Sequence, residues 1–315
     1  MKFNILGILI ASTIFFIGCS TNDKNELVIF HAGSLSVPFK QMKEQFEKEN
    51  PDTEILLEAA GSVKCARKIT DLGRTCDIMA SADYTIIDKM LIPDYTDWNI
   101  QFASNEMCIV YHNESKYADQ IHAENWHEIL VKDDVIFGRS DPNSDPCGYR
   151  AILTTKLAEE YYQHNGLTEK ILQKDLRYIR PKEVDLLALL ESNTIDYIFL
   201  YRSVAQQHQL EYLILPDSIN LKNPKLNNHY QKAEVQITGK KPGEIITQQG
   251  QAMVYGLTIL NDSPNQELAL RFVDFILSEK GGKRILEQNG QPAIITTDSK
   301  YLNNIPEQLS NYINQ

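Results

Sequence analysis

The stretch SDPNSDPCGYRA, Ser140 to Ala151, sets two carboxylates, Asp141 and Asp145, at the mouth of a helix. Helix starts leave backbone N–H groups that look for an anion of their own. Asp145 therefore either caps this helix, with Pro146 in the favoured first position, or helps to hold a ligand. Asp141, Asn143 and Tyr149 shape the same loop or orient such a ligand's partners. Two serines stand in comparable places: Ser34 before the helix that carries Phe39, and Ser62 in an Ala-Ala-Gly-Ser turn before the helix that carries Cys65. Each offers a hydroxyl beside N–H groups at a helix start, the kind of donor a small oxyanion needs. Each also reads as a plain N-cap or turn serine. Glu183, just after Pro181, opens EVDLLALLES and suits the first turn of a helix, where the dipole favours a carboxylate.

The elements that must position these residues follow from periodicity. ELVIFHAGSLSVPFKQMKEQFEKENP reads as a buried strand, a loop and an amphipathic helix with Phe39, Met42 and Phe46 inward, stopped by Asn50-Pro51. TEILLEAAGSVKCARKITDLG repeats the scheme, and CDIMASAD is a third strand-like run. Further strands are read at Asn105 to Asn113, in VIFGRS, in IDYIFLYRS and in QAMVYGLTIL, with helices after the opening loop and in NQELALRFVDFILSEKGGKRILEQNGQ. Strands alternating with helices imply parallel sheets covered on both faces, with ligands at the carboxyl ends of the strands. Ser34 and Ser62 both fall at that edge.

At the amino end, Met1-Lys2 precedes an uncharged run, Ile5 to Ile17, too short to span a bilayer but suited to a signal h-region. Its end, Gly18-Cys19, resembles the lipobox of bacterial lipoproteins. That implies a lipid on Cys19 and a polar tether from Ser20 to Asn25, with residues 1–25 outside the folded body. No other run is long and apolar enough to span. The remaining roughly 300 residues, in a chain that is 43% hydrophobic, suffice for two lobes. A formal charge of −11, or −12 without Lys2, argues against nucleic acid as a partner. Cys65, Cys76, Cys108 and Cys147 match no zinc spacing, and no disulfide is assigned to them.

Taken in register, FHAGSL, EAAGS, ADYTIIDKM, SDPNSDPCGYR and VYGLTI resemble the tungstate/molybdate-binding solute receptors of ABC importers, from Leu27 to about Gln291. The resemblance implies a two-lobe type II periplasmic-binding-protein fold, α/β, each lobe a mainly parallel sheet flanked by helices with the ligand in the cleft. Residues 26–107 plus 205–315 would form lobe 1 and residues 108–204 lobe 2, with crossings near Met107 to His112 and Tyr201 to Ala205. It further implies Ser34, Ser62 and Tyr201 as oxyanion-binding residues and Asp145 and Glu183 as carboxylate ligands of the metal. Asp185 is the alternative to Glu183 if the register slips, because positions i and i+2 of a helix diverge.

Two carboxylates beside a dianion repel it by several kcal/mol at close range. They make sense only if the central atom accepts oxygen ligands. Tungsten(VI) and molybdenum(VI) are large, hard centres that can expand from four oxygens to six, whereas sulfate and phosphate cannot. The same carboxylates then reject sulfate by repulsion. The expected function is high-affinity extracytoplasmic binding of tungstate or molybdate and delivery to a permease with its cytoplasmic ATPase. On this reading the protein is a monomer on a lipid anchor, with no catalysis and no cofactor.

Other readings remain. The same fold could serve sulfate, phosphate, a ferric ion or an organic ligand; the 15 tyrosines are scattered apart from Tyr161-Tyr162, unlike a ferric site. An enzyme built on His31 and Ser34 lacks a Gly-x-Ser-x-Gly elbow. DPNSDP lacks the acidic ladder of an EF-hand loop.

Overall fold

A computed structural model describes residues 25–239 and 243–313; the expected lipidation site, Cys19, lies outside them. The first two βα units form as the pattern predicts. Strand β1 (Asn25–Ala32) leads through a tight turn into helix α1 (Ser36–Glu49), which buries Phe39, Met42 and Phe46 and ends where Asn50 Nδ2 donates to the Phe46 carbonyl at 2.9 Å. Strand β2 (Thr53–Ala60) leads into α2 (Ser62–Thr70), after which Gly73 turns the chain at φ +60°, a conformation that favours glycine. Strand β3 (Ile78–Ser81) is wholly buried.

Strands β4 (Ile100–Ser104) and β5 (Met107–Tyr111) are nearly continuous but belong to different sheets, so the chain crosses between lobes at Asn105 and Glu106. The second sheet continues with β6 (Phe137–Ser140), β7 (Ile179–Arg180), β8 (Tyr197–Tyr201) and β9 (Glu211–Ile214), ordered β7-β6-β8-β5-β9, and helix α3 (Pro146–Tyr161) packs on it. A separate hairpin, β10 (Glu234–Thr238) with β11 (Ile245–Gln249), precedes β12 (Val254–Ile259). After α4 (Gln266–Leu277) and α5 (Gly282–Gln288), β13 (Ala293–Thr297) completes a first sheet ordered β13-β4-β12-β3-β1-β2.

Each sheet is mixed, not mainly parallel as expected, because strands that cross between the lobes enter it reversed. Pairing is parallel where βα units follow one another, β1 with β2 and β3, and β6 with β7 and β8. It is antiparallel where a strand arrives from the other lobe, as in β12 with β3 and β4 and in β5 with β8 and β9. The expected boundary at residues 204 and 205 falls too early. β9 pairs with β5 along Glu211–Ile214, so those residues stay with the second sheet. The chain then passes the crossing at Asn220, whose carbonyl accepts from Met107 N at 2.9 Å, before rejoining the first sheet as β12. The IDYIFLYRS run ends β8 at Tyr201, and no length periodicity distinguishes the short strand β9 from the loop around it.

Candidate functional site

Ser34 lies in the turn between β1 and α1, and Ser62 is the first residue of α2; both are buried. Neither caps its helix through its side chain, since the cap positions belong to Leu35 and Gly61. Their hydroxyls do something else. Ser62 Oγ accepts from the Ala82 N–H at 2.9 Å, just past the end of β3. Ser34 Oγ accepts from the Tyr255 hydroxyl at 3.0 Å, and Tyr255 in turn accepts from Asn105 Nδ2 at 2.9 Å, within the crossing. A hydroxyl whose oxygen already accepts keeps its one hydrogen for another acceptor.

In the second lobe, Asp141 orders the loop: its Oδ1 accepts from Asn143 N and its Oδ2 from the Ser144 hydroxyl, both at 2.9 Å. Asp145 caps α3, with Oδ1 accepting from Cys147 N at 3.2 Å and Pro146 beginning the helix. Its other oxygen accepts from Glu183 N at 2.9 Å, 38 residues on. The two acidic residues are thus joined through backbone and side chain. Glu183 opens a short 3₁₀ turn, Glu183–Leu186, and is 1% exposed. Asp185 turns outward to pair with Lys182 at 3.5 Å. Tyr201 ends β8, fully buried, and its hydroxyl accepts from Arg150 Nη1 at 3.0 Å.

The lobes bring these groups together. A methyl built on Gly33 in the first lobe would stand 2.9 Å from Glu183 Oε1 in the second. One built on Gly61 would overlap the Ser144 carbonyl oxygen and lie 2.9 Å from Asp145 Cβ. Lys64 N also donates to Ser144 O at 3.2 Å. Lys64, Lys68 and Lys182, drawn from both lobes, line a groove of about 320 Å³ at this seam.

Neither oxygen of the Glu183 carboxyl accepts a well-formed hydrogen bond, although both are buried and the Ser34 backbone lies near enough to lower its pKa. Burial, with the negative Asp145 beside it, pushes the Glu183 carboxyl well above the usual range. Burial also raises Asp145, against the hydrogen bonds that stabilise its charged form. Two carboxyl groups in contact at this depth call for a shared proton or another electron-poor partner between them. Three hydroxyls with hydrogens to donate surround the same region. Such an arrangement can grip an anion by its oxygens while a carboxylate addresses the atom at its centre.

All five candidate residues are buried at the facing edges of the two sheets. Ser34 and Ser62 stand at strand-to-helix junctions of the first, and Asp145, Glu183 and Tyr201 lie on the second. His31 is buried but bonds to its neighbour: Nδ1 lies 2.8 Å from Ala32 O, and the ring packs on Phe39. Sequence reasoning missed Arg150, Tyr255 and Asn105. Arg150 was visible in CGYR and Tyr255 in VYGLTI, but nothing local marks them as partners of Tyr201 and Ser34.

Comparison with known proteins agrees with this architecture. Residues 27–291 match the family model described as bacterial extracellular solute-binding protein. The chain is 49% identical over 289 residues to an uncharacterized solute-binding protein of Petrotoga mobilis, covering 91% of this chain and 90% of that one. It is 42% identical to the molybdate/tungstate-binding protein WtpA of Pyrococcus abyssi, covering 98% of each. Among solved structures it resembles the periplasmic molybdate-binding protein of Azotobacter vinelandii, with TM-score 0.59, 14% identity, and 84% and 98% of the two chains covered. The sulfate-binding protein SubI of Mycobacterium tuberculosis matches with the same TM-score, at 10% identity over 90% and 92%. Equal likeness to a molybdate and a sulfate receptor fixes the two-lobe fold and leaves the ligand to the side chains. With its fold, its full-length match and its interlobe cleft, this chain belongs to the bacterial extracellular solute-binding protein family.

Proposed function

We propose that the protein captures tungstate or molybdate outside the cytoplasmic membrane and delivers it, chemically unchanged, to an ABC permease driven by a cytoplasmic ATPase. Full-length identity of 42% to a molybdate/tungstate-binding protein supports this choice within the family. The observation that carries it in the structure is the buried pair Asp145 and Glu183, whose carboxyl groups lie against each other with neither Glu183 oxygen in a well-formed hydrogen bond. In a receptor for sulfate, carboxylates ionised at this place would only repel. For a metal centre that can expand from four oxygens to six, they are ligands.

In this reading Ser34, Ser62 and Tyr201 donate to oxo groups, while Asp145 and Glu183 approach the metal from the second lobe. The lobes close as the shell completes, in the manner of a hinge, and the crossing at Asn105 and Glu106 is its axis. Export and lipid attachment at Cys19 belong to the same proposal, since a tethered receptor stays near its permease.

Titration calorimetry against tungstate, molybdate, sulfate and phosphate tests it. Tight binding of the first two with weak or absent heat for sulfate is expected. Equal affinity for sulfate and tungstate would overturn the assignment. X-ray absorption on the complex counts the metal's oxygen neighbours: six is expected, and four would remove the carboxylates from the shell.

A further inference from the structure

Helix α3 carries two more buried side chains at the cleft, Tyr149 and Arg150, and both reach from the second lobe to one carboxylate of the first. The Tyr149 hydroxyl donates to Asp83 Oδ2 at 2.6 Å, and Arg150 Nη2 lies 3.3 Å from the same oxygen. Asp83 Oδ1 is already engaged within its own lobe, accepting from Thr85 N at 2.9 Å and Thr85 Oγ1 at 2.8 Å. One edge of this carboxylate therefore serves local structure while the other faces partners from across the cleft. Gln248 of the β10–β11 hairpin adds a longer contact at 3.4 Å.

Arg150 does more than pair. Nη1 donates to the Ala82 carbonyl at 2.7 Å as well as to the Tyr201 hydroxyl at 3.0 Å. The N–H of the same Ala82 holds Ser62 Oγ. One guanidinium thus touches the first lobe at Ala82 and Asp83 and fixes Tyr201 in the second. Because its N–H is spent on the tyrosine oxygen, the tyrosine hydrogen stays free to donate.

The ion-pair side chains are 2% and 1% exposed. Charges so enclosed are costly to desolvate, and such pairs are weak devices for stability but good ones for switching between states. Parting the lobes would separate Arg150 from Asp83 and return both to water, so the pair is a contact of the closed state. The guanidinium also brings positive charge to a cleft that holds the carboxyl groups of Asp83, Asp145 and Glu183.

We propose that Arg150, paired with Asp83 and Tyr149, is a positioning residue that makes tight oxyanion capture conditional on closure: it holds Tyr201 in donor geometry within its own lobe and engages the Ser62 turn only when the lobes meet. This rests on the oxyanion reading given above.

Asp83→Asn tests it cleanly, because the amide oxygen still serves Thr85 while the amide nitrogen cannot accept from Tyr149 or Arg150. Calorimetry with tungstate, small-angle scattering with and without tungstate, and urea unfolding of the ligand-free protein are the readouts. Asp83→Asn should weaken tungstate about 10- to 100-fold, the range for losing one side of an enclosed charged contact. Tyr149→Phe should weaken it less, about 3- to 10-fold. Arg150→Lys keeps the charge but lacks the fork and should fall between wild type and Asp83→Asn. Ligand-free unfolding should be unchanged in Asp83→Asn and Tyr149→Phe. Wild-type affinity in Asp83→Asn, or a loss of ligand-free stability equal to the loss in binding, would overturn the proposal. Absence of tungstate and molybdate binding by the wild-type protein would instead remove the oxyanion reading itself.

Discussion

Gly61 and Ser144 face each other across the seam so closely that Gly61 has no room for a side chain: a methyl there would overlap the Ser144 carbonyl oxygen. Gly61 has φ −60°, an ordinary value for any residue, so glycine is required by the approach of the second lobe and not by its own backbone. Gly61→Ala should therefore leave the ligand-free protein folded and obstruct closure. We expect tungstate affinity to fall about 10- to 100-fold, in line with the strain of overpacking. Small-angle scattering should show no contraction at tungstate concentrations that close the wild type.

Glu183 carries the sharpest prediction. Replacing it by Gln removes a metal ligand from beside Asp145. Tungstate binding should weaken by about 100-fold or more, with Asp185→Asn as an exposed control that binds like wild type. Because burial and Asp145 disfavour the ionised form of the Glu183 carboxyl, a neutral amide there spares the ligand-free protein that penalty. Its melting temperature should hold or rise while binding collapses, and a parallel fall in both would show a structural role for Glu183.

The chain Asn105 to Tyr255 to Ser34 is tested by a double-mutant cycle. Tyr255→Phe deletes the donor to Ser34 Oγ and frees that hydroxyl to turn away from the cleft. A loss of about 5- to 30-fold in tungstate affinity is expected from one orienting hydrogen bond. Combined with Ser34→Ala, it should cost little more than Ser34→Ala alone, because both changes remove the same donation. Full additivity in calorimetry would mean that Tyr255 acts elsewhere.

His31 makes stability depend on pH. Burial pulls its pKa down to about 4 from an unfolded value of 6.5. Between those values the unfolded chain takes up a proton that the folded protein refuses, so stability is lost as pH falls from 6.5 to about 4. The loss is about 3 kcal/mol at the low end. In urea unfolding, the stability lost across this window should be larger for wild type than for His31→Gln by that amount. Identical pH profiles would show that His31 titrates normally in the fold.

Much of this was legible in local pattern. The βα units, the Asp145-Pro146 helix start and the turn serines follow from apolar spacing and punctuation, which act over a few residues. At Asp145 the local reading as a cap and the contact with Glu183 hold together, because a carboxylate has two oxygens and the helix uses one. Ser34 and Ser62 read equally well as caps, and only the fold shows their oxygens taken by Tyr255 and Ala82. Long-range partners such as Arg150 with Asp83 leave no periodic trace, since their register is set by how two lobes meet. The strand β9 was missed for a related reason: its pairing with β5 depends on a neighbour about a hundred residues earlier, not on its own short and partly exposed run.

The four cysteines among the described residues, Cys65, Cys76, Cys108 and Cys147, are all buried and unpaired. Burial pushes the Cys65 thiol up to about 12 and raises the others as well, so none of them offers a thiolate at neutral pH. Maleimide dyes would pass them by. One engineered surface cysteine on each lobe could then carry a fluorophore pair with the native thiols left in place, turning the receptor into an optical reporter of its own cargo.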